Sequence, residues 1–267
     1  MQLYDGRLVW QQTSDDGVIE VVDEGDIRSL HFGTFPKQSS MSRRRPHQLI
    51  LSYTQAMMAA LLLQPEPKRV LIIGLGGGSV VKFLLHHWPN CQIWVIEYRQ
   101  DVIQTAQQYF SVPEDNDHLT VIHADGIDWV SAWFHEQHAL FDMIFVDAYD
   151  HEGMSAGIGA QLFFDACAGV LTDSGVMSIN LWGSDRNGFT QTMQRINLSF
   201  KDQSVLLPVP DKGNVIALAS HAPLDRKQLK QRQSLAIELE QALTLPMTAF
   251  LQRINRHNGS LLSRLFI

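Results

Sequence analysis

Positive charge, cysteine and long apolar runs are all scarce in this chain of 267 residues. Lysine and arginine number 21 against 28 aspartates and glutamates, a formal balance of −7. Nucleic-acid binding relies on clustered cations that displace counterions, so the deficit argues against a nucleic-acid partner. No apolar run reaches the roughly 20 residues that cross a bilayer, so no membrane partner is expected. The first ten residues, MQLYDGRLVW, carry neither the basic start nor the apolar stretch of a secretory signal. Cys91 and Cys167, the two cysteines, follow no metal-binding or redox spacing. That fits a cytoplasmic location and no bound metal. No Lys-Ser or Lys-Thr follows the glycine-rich stretch at Gly74, which rules out a P-loop. A Tyr-x-x-x-Lys pair of the kind a hydride-transfer site uses is also missing.

What is present is globular: 45% apolar and 18% charged residues, in a chain long enough to bury a large core. Residues 1–36 read as an antiparallel meander, with RLVWQQT, VIEVVDE and IRSLHFG separated by the turn signals SDDG and EGD. Lys37–Gln48 reads as a polar loop, and Leu49–Gln64 as one long helix stopped by Pro65. From Arg69 the pattern changes to short apolar runs alternating with helical stretches. Strands are expected at 69–74, 92–97, 119–124, 141–147 and 175–180. Helices are expected near 79–87, 100–110, 126–136, 160–172 and 186–198. This predicts an α/β chain with a parallel sheet covered on both faces. SVLLPV, PDKGN and VIALAS then read as a hairpin, so the last strand enters antiparallel. Residues 225–256 read as helical, before a C-terminal tail. A closing hairpin favours the Rossmann-like sheet of class I methyltransferases over that of dinucleotide dehydrogenases. The expected division is a small N-terminal β domain with its loop at 1–48, then a nucleoside-binding transferase domain with C-terminal helices at 49–267.

The chemistry-bearing residues cluster at predicted strand ends. In VLIIGLGGGSVVKFLL, Gly74, Gly76 and Gly78 lie between a strand and a helix. Missing side chains there let a ligand approach the backbone near a helix N-terminus. A tight strand-to-helix turn explains the same glycines without a ligand. Glu97 ends the second strand about 20 residues on, where such folds place an acid on ribose hydroxyls. Its carboxylate can accept two hydrogen bonds side by side, which suits a vicinal diol. Asp125 and Gly126 end the third strand, at the position facing the adenine rim. Asp147 ends the fourth, and Asp150, further along the same loop, is the candidate for acceptor binding. Ligands sit at the strand ends of the switch point in an open α/β sheet, and two acids there suit a proton acceptor or a cation clamp. Trp182, after the fifth strand, either lines the pocket or packs against a helix.

Gln38-Ser39, YTQAMMAALL from Tyr53 and GLGGGS from Gly74 occur in that order. With them the chain from about Ile19 to Ser220 resembles the spermidine synthase family, the polyamine aminopropyltransferases, and above all its spermidine synthase-like members. The resemblance implies a methyltransferase-like Rossmann domain behind a small β domain. It also implies decarboxylated S-adenosylmethionine, or S-adenosylmethionine itself, as co-substrate. Gln38 and Glu97 would hold the nucleoside sugar, and Asp125 with Gly126 the adenine. Asp147 would accept a proton, and Tyr53 would border the amine site. Oligomeric state stays open, a homodimer included.

The departures fall at the amine site. Gly77 stands where the family's glycine loop carries an amine-binding Asp, and SSMSRRRPHQ, with Arg43, Arg44 and Arg45, replaces an acidic stretch. Tyr53-Thr54 replaces Tyr-His, and His151 replaces a Pro. Burying an unpaired ammonium is costly, so poor use of putrescine is expected. Restoring Asp at position 77 is expected to improve it. The arginines either enter the pocket or point away from it. The leading expectation is an aminopropyl transferase acting on a small amine. The alternatives are an S-adenosylmethionine-dependent methyltransferase and a non-catalytic nucleoside-binding protein.

Overall fold

Two-residue loops at Asp15-Asp16 and Gly25-Asp26 close the first two hairpins, with Gly25 at φ 59° taking the left-handed conformation such a turn needs. They join β1 (Arg7–Ser14), β2 (Gly17–Glu24) and β3 (Ile27–His31) into the expected meander. The computed structural model describes residues 4–148, 157–183, 186–210, 213–224, 229 and 231–258. A fourth strand, β4 (Ser39–Ser42), pairs antiparallel with β3 and corrects the expected polar loop. SSMS carries no apolar alternation, so its pairing is invisible locally. Its serines are buried: Ser39 fits beneath the glycine loop, its Oγ 3.2 Å from Ser79 Oγ, while Ser42 Oγ donates to Asp26 Oδ2 at 2.6 Å.

The helix expected at 49–64 is shorter. Chain at Leu51 is still extended, α1 covers Ser52–Met57, and a 3₁₀ turn follows over Met58–Leu62. All of Ala56–Leu62 is buried, so its neighbours dictate its shape.

From Arg69 the predicted alternation appears as β5 (Arg69–Ile73), α2 (Ser79–His87), β6 (Gln92–Glu97), α3 (Gln100–Tyr109), β7 (Leu119–His123), α4 (Gly126–His135), β8 (Phe141–Val146) and α5 (Gln161–Gly169). β9 (Leu171–Trp182), α6 (Arg186–Ser199), β10 (Ser204–Pro208) and β11 (Asn214–Ser220) complete the sheet. Its spatial order is β10-β11-β9-β8-β5-β6-β7. Strands β9 to β7 run parallel, whereas β11 is antiparallel to both neighbours. The chain enters at β5, builds outward through β6 and β7, then places β8 on the other side of β5. That reversal is the switch point of the sheet, at the carboxyl ends of β5 and β8, where open α/β sheets bind their ligands. Alternation within β5 sends Val70 and Ile72 to one apolar core and Leu71 and Ile73 to the other. A strand buried on both faces therefore reads as one continuous apolar run.

β9 begins earlier than expected, at Leu171. Phe141 pairs with Leu171 but Met143 with Val176, so Thr172–Gly175 bulge out of register. The turn-like TDSG is thus an irregularity within a strand. The C-terminal helical stretch divides at Thr244, in the left-handed region, into α7 (Gln233–Leu243) and α8 (Met247–His257). A third, smaller core joins Ile19, Val21, Leu30 and Met41 of the N-terminal sheet to Val102 of α3 and to Phe110 just beyond it. Both cysteines are buried and unpaired, and burial pushes the Cys91 thiol up to about 12. No helix among the described residues is long and apolar enough to cross a membrane.

Candidate active site

The glycine loop between β5 and α2 is shaped first by packing. Gly74 has φ 94°, and a Cβ on it would stand 2.3 Å from the Asp147 carbonyl oxygen, so only glycine lets the ends of β5 and β8 meet. A Cβ on Gly78 would meet Val112 at 2.2 Å, and one on Gly77 would meet Ser39 at 2.7 Å. Gly76 differs. It has φ 51°, is half-buried, and the nearest atom to its would-be Cβ is Ser39 Cβ at 3.8 Å. The packing explanation therefore covers Gly74 and Gly78, while at Gly76 a Cβ would make only ordinary contact and it is the positive φ that favours glycine.

Glu97 closes the loop from β6. Leu75 N donates to its Oε2 at 2.8 Å and Arg99 N to its Oε1 at 2.9 Å. Burial pushes the carboxyl above its ordinary range, while the backbone N–H groups of Leu75, Arg99 and Gly76 oppose the shift. The carboxylate is thus fixed in direction by backbone donors and retains further lone pairs.

Asp125 sits at the end of β7 as the N-cap of α4. Its Oδ1 accepts from Ile127 N at 2.7 Å and Asp128 N at 3.2 Å. One oxygen is committed to the helix, a role that Asp125 just before a helical stretch could have signalled. Gly126 is close-packed, since a Cβ there would stand 2.7 Å from Ile73 Cγ2. Ala124 N donates to Glu97 O at 3.1 Å, which draws this strand end to β6.

Asp147 follows β8, with its amide donating to Ile73 O at 2.9 Å. The residue is half-buried, and its carboxyl group is crowded by protein atoms. Burial raises its pKa, and hydrogen bonds from Asn180 and Tyr53 pull in the opposite direction. Asn180 Nδ2 donates to Asp147 Oδ1 at 3.0 Å. The Tyr53 hydroxyl also faces the Gln38 carbonyl oxygen at 3.3 Å, so its single proton has a neutral and an ionisable acceptor to choose between.

The structure thus brings Gln38, Tyr53, Gly74, Gly76, Gly78, Glu97, Asp125, Gly126 and Asp147 to one end of the sheet. Asp150 and His151 lie outside the described residues. Arg43 and Arg44 are turned away from the site residues so assembled. Arg43 pairs with Asp23 of β2 at 3.5 Å and Arg44 with Asp26 of the β2–β3 loop at 3.6 Å. Trp182 is 47% exposed at the edge of β9, its ring against Gly213. Among the described residues, no three His, Cys, Asp or Glu side chains converge as a metal ion would require.

Three contributors escaped the sequence reading. Asn180 is a lone amide in the apolar strand SINLW, Asn214 resembles a turn residue after Gly213, and Lys82 lies in the apolar run VVKFLL. For Asn180 and Lys82 a polar side chain inside an apolar stretch was the available signal; Asn214 carried none.

Residues 51–184 match the sequence model of the spermine/spermidine synthase domain. The polyamine aminopropyltransferase of Chromobacterium violaceum is 32% identical over 249 residues, spanning 93% of this chain and 94% of that protein. Among solved structures, a spermidine synthase in complex with the transition-state analogue AdoDATO aligns with a TM-score of 0.65 and 21% identity, covering 90% of this chain and 89% of the other. Human methyltransferase-like protein 13 in complex with SAH aligns with a TM-score of 0.66 and 24% identity, covering 73% and 93%. At these identities the two structures speak for the fold alone.

Proposed function

The chain belongs to the spermine/spermidine synthase family, and from that premise we propose that it transfers an aminopropyl group from decarboxylated S-adenosylmethionine to a small amine. The protein is a transferase. The observation that carries the reading is the carboxylate of Asp147, which follows β8 at the switch point of the sheet and is hydrogen-bonded by Asn180 and Tyr53.

Chemistry of this kind needs a neutral nitrogen. The amine lone pair forms a bond to the carbon attached to the sulfonium, and the carbon–sulfur pair leaves with sulfur as methylthioadenosine. The proton shed by nitrogen needs an acceptor. Asp147, raised by burial above an ordinary carboxylate, has the higher proton affinity for that task, while Asn180 and Tyr53 help keep it ionised. Glu97 suits the ribose hydroxyls, its direction preset by Leu75 and Arg99. Gly74, Gly76 and Gly78 shape the floor, Asp125 and Gly126 suit the adenine edge, and Gln38, Tyr53 and Asp150 are assigned to the sugar and the acceptor.

Incubation with decarboxylated S-adenosylmethionine and a panel of small amines tests the reading. Methylthioadenosine should form only when an amine is present. Consumption of S-adenosylmethionine itself, with release of S-adenosylhomocysteine, would replace this reading by methyl transfer.

A further inference from the structure

The amide beside Asp147 is itself oriented by a second amide. Asn180 Nδ2 donates to Asp147 Oδ1, and Asn214 Nδ2 donates to Asn180 Oδ1, each at 3.0 Å. An ionised carboxylate only accepts, so Asn180 assists it solely with the NH₂ group turned inward. Half a turn about the terminal torsion would exchange nitrogen for oxygen with almost no change of shape, and would aim a lone pair at the carboxylate. With its own NH₂ turned toward Asn180, Asn214 opposes that reversal, because that NH₂ requires an acceptor where the Asn180 oxygen now lies.

Strand register places Asn214 there. Asn180 pairs with Ile216 across the antiparallel β9–β11 ladder, so Asn214, two residues before Ile216, is its diagonal neighbour on the same face. Gly183 N donates to Gly213 O at 2.7 Å, which fixes the backbone beside it.

We propose that Asn214 is a positioning residue, locking the Asn180 amide nitrogen toward Asp147 and so fixing the direction of the acid. The mechanistic value of that acid rests on the aminopropyl-transfer reading above; the lock does not. Asn180 from β9 and Tyr53 from α1, together with burial, set the proton affinity of Asp147. A reversed Asn180 withdraws a donor and adds a repulsive lone pair.

The test is a carbon-13 NMR titration of the Asp147 carboxyl in the intact protein, its resonance identified by loss in Asp147→Asn. Asn214→Leu should raise the proton affinity of that carboxyl by about tenfold, one pKa unit. In an Asn180→Ala background the same substitution should add nothing, because its effect passes through Asn180. If the leucine variant does not fold, Asn214→Ala serves in the same cycle. An unchanged titration in a folded variant, or an equal shift without Asn180, overturns the lock. Failure of the transferase reading is seen separately, as an unsubstituted protein that makes no methylthioadenosine with any amine.

Discussion

A β-carbon on Gly77 would stand 2.7 Å from Ser39 Oγ and 2.9 Å from Phe110 Cδ1. The position is closed by β4 on one side and the end of α3 on the other. A carboxylate there, where the family resemblance places one, would have to displace both contacts, so the gain on putrescine expected from restoring Asp meets a packing cost. Gly77→Asp should thus destabilise the protein by about 1–3 kcal/mol through overpacking, with no net gain on putrescine. Thermal denaturation and initial rates check both halves. Faster putrescine turnover at an unchanged melting temperature would show that the loop opens in solution.

The sheet was legible because buried strands leave continuous apolar runs and the closing hairpin carries its own turn residues. β4 was not, because SSMS gains its pairing from β3 and part of its burial from the glycine loop, both distant in sequence. The strand-end acids were legible for a topological reason: Glu97, Asp125 and Asp147 each terminate a predicted strand, and all such ends share one edge. Their partners were hidden. Asn180 and Asn214 meet through a cross-strand register that composition does not specify. The reach of Arg43 and Arg44 toward Asp23 and Asp26 likewise depends on where β4 lies.

Glu97 should link nucleoside affinity to pH. Its carboxyl is raised above the ordinary value of 4.5 by burial, so on acidification it protonates earlier than an exposed glutamate. Methylthioadenosine affinity should therefore fall as pH drops through the raised value. The stability contribution has the opposite sign: it is fully present below the unfolded pKa and lost as pH rises through the folded one. Glu97→Gln should weaken binding by about 1–3 kcal/mol, since an NH₂ group then faces a backbone N–H. Calorimetry at several pH values reads both effects, and equal affinity in variant and parent would remove Glu97 from the nucleoside site.

Asp147→Asn preserves size and removes the charge. Loss of a positioned base costs about 10²–10⁴ in rate, so turnover should collapse while methylthioadenosine still binds. In the parent, activity should fall as pH drops through the raised pKa of Asp147, above the ordinary 3.8. Undiminished turnover in the asparagine variant would leave Asp147 structural and favour an acceptor that needs no base.

Lys82 gives the remaining prediction. Its ammonium lies beneath the glycine loop, with Nζ 2.6 Å from both the Gly77 and Phe110 carbonyl oxygens. Those two bonds tie the start of α2 to the end of α3. Burial alone lowers its pKa from 10.5 to about 7. The unfolded chain therefore holds this proton up to about 10.5, whereas the folded chain releases it near 7. Between those values the unfolded state binds more protons, so stability rises with pH across the window. The contribution is complete above the unfolded pKa and is lost as pH falls through the folded one. Lys82→Met keeps the apolar stem and removes the titration, so it should flatten the curve of stability against pH between about 7 and 10.5. Denaturant unfolding of parent and variant at matched pH isolates the term from every other titrating group. Parallel curves across that window would mean that Lys82 keeps its proton when folded, and that its two carbonyl contacts offset more of the burial than the lowered pKa implies.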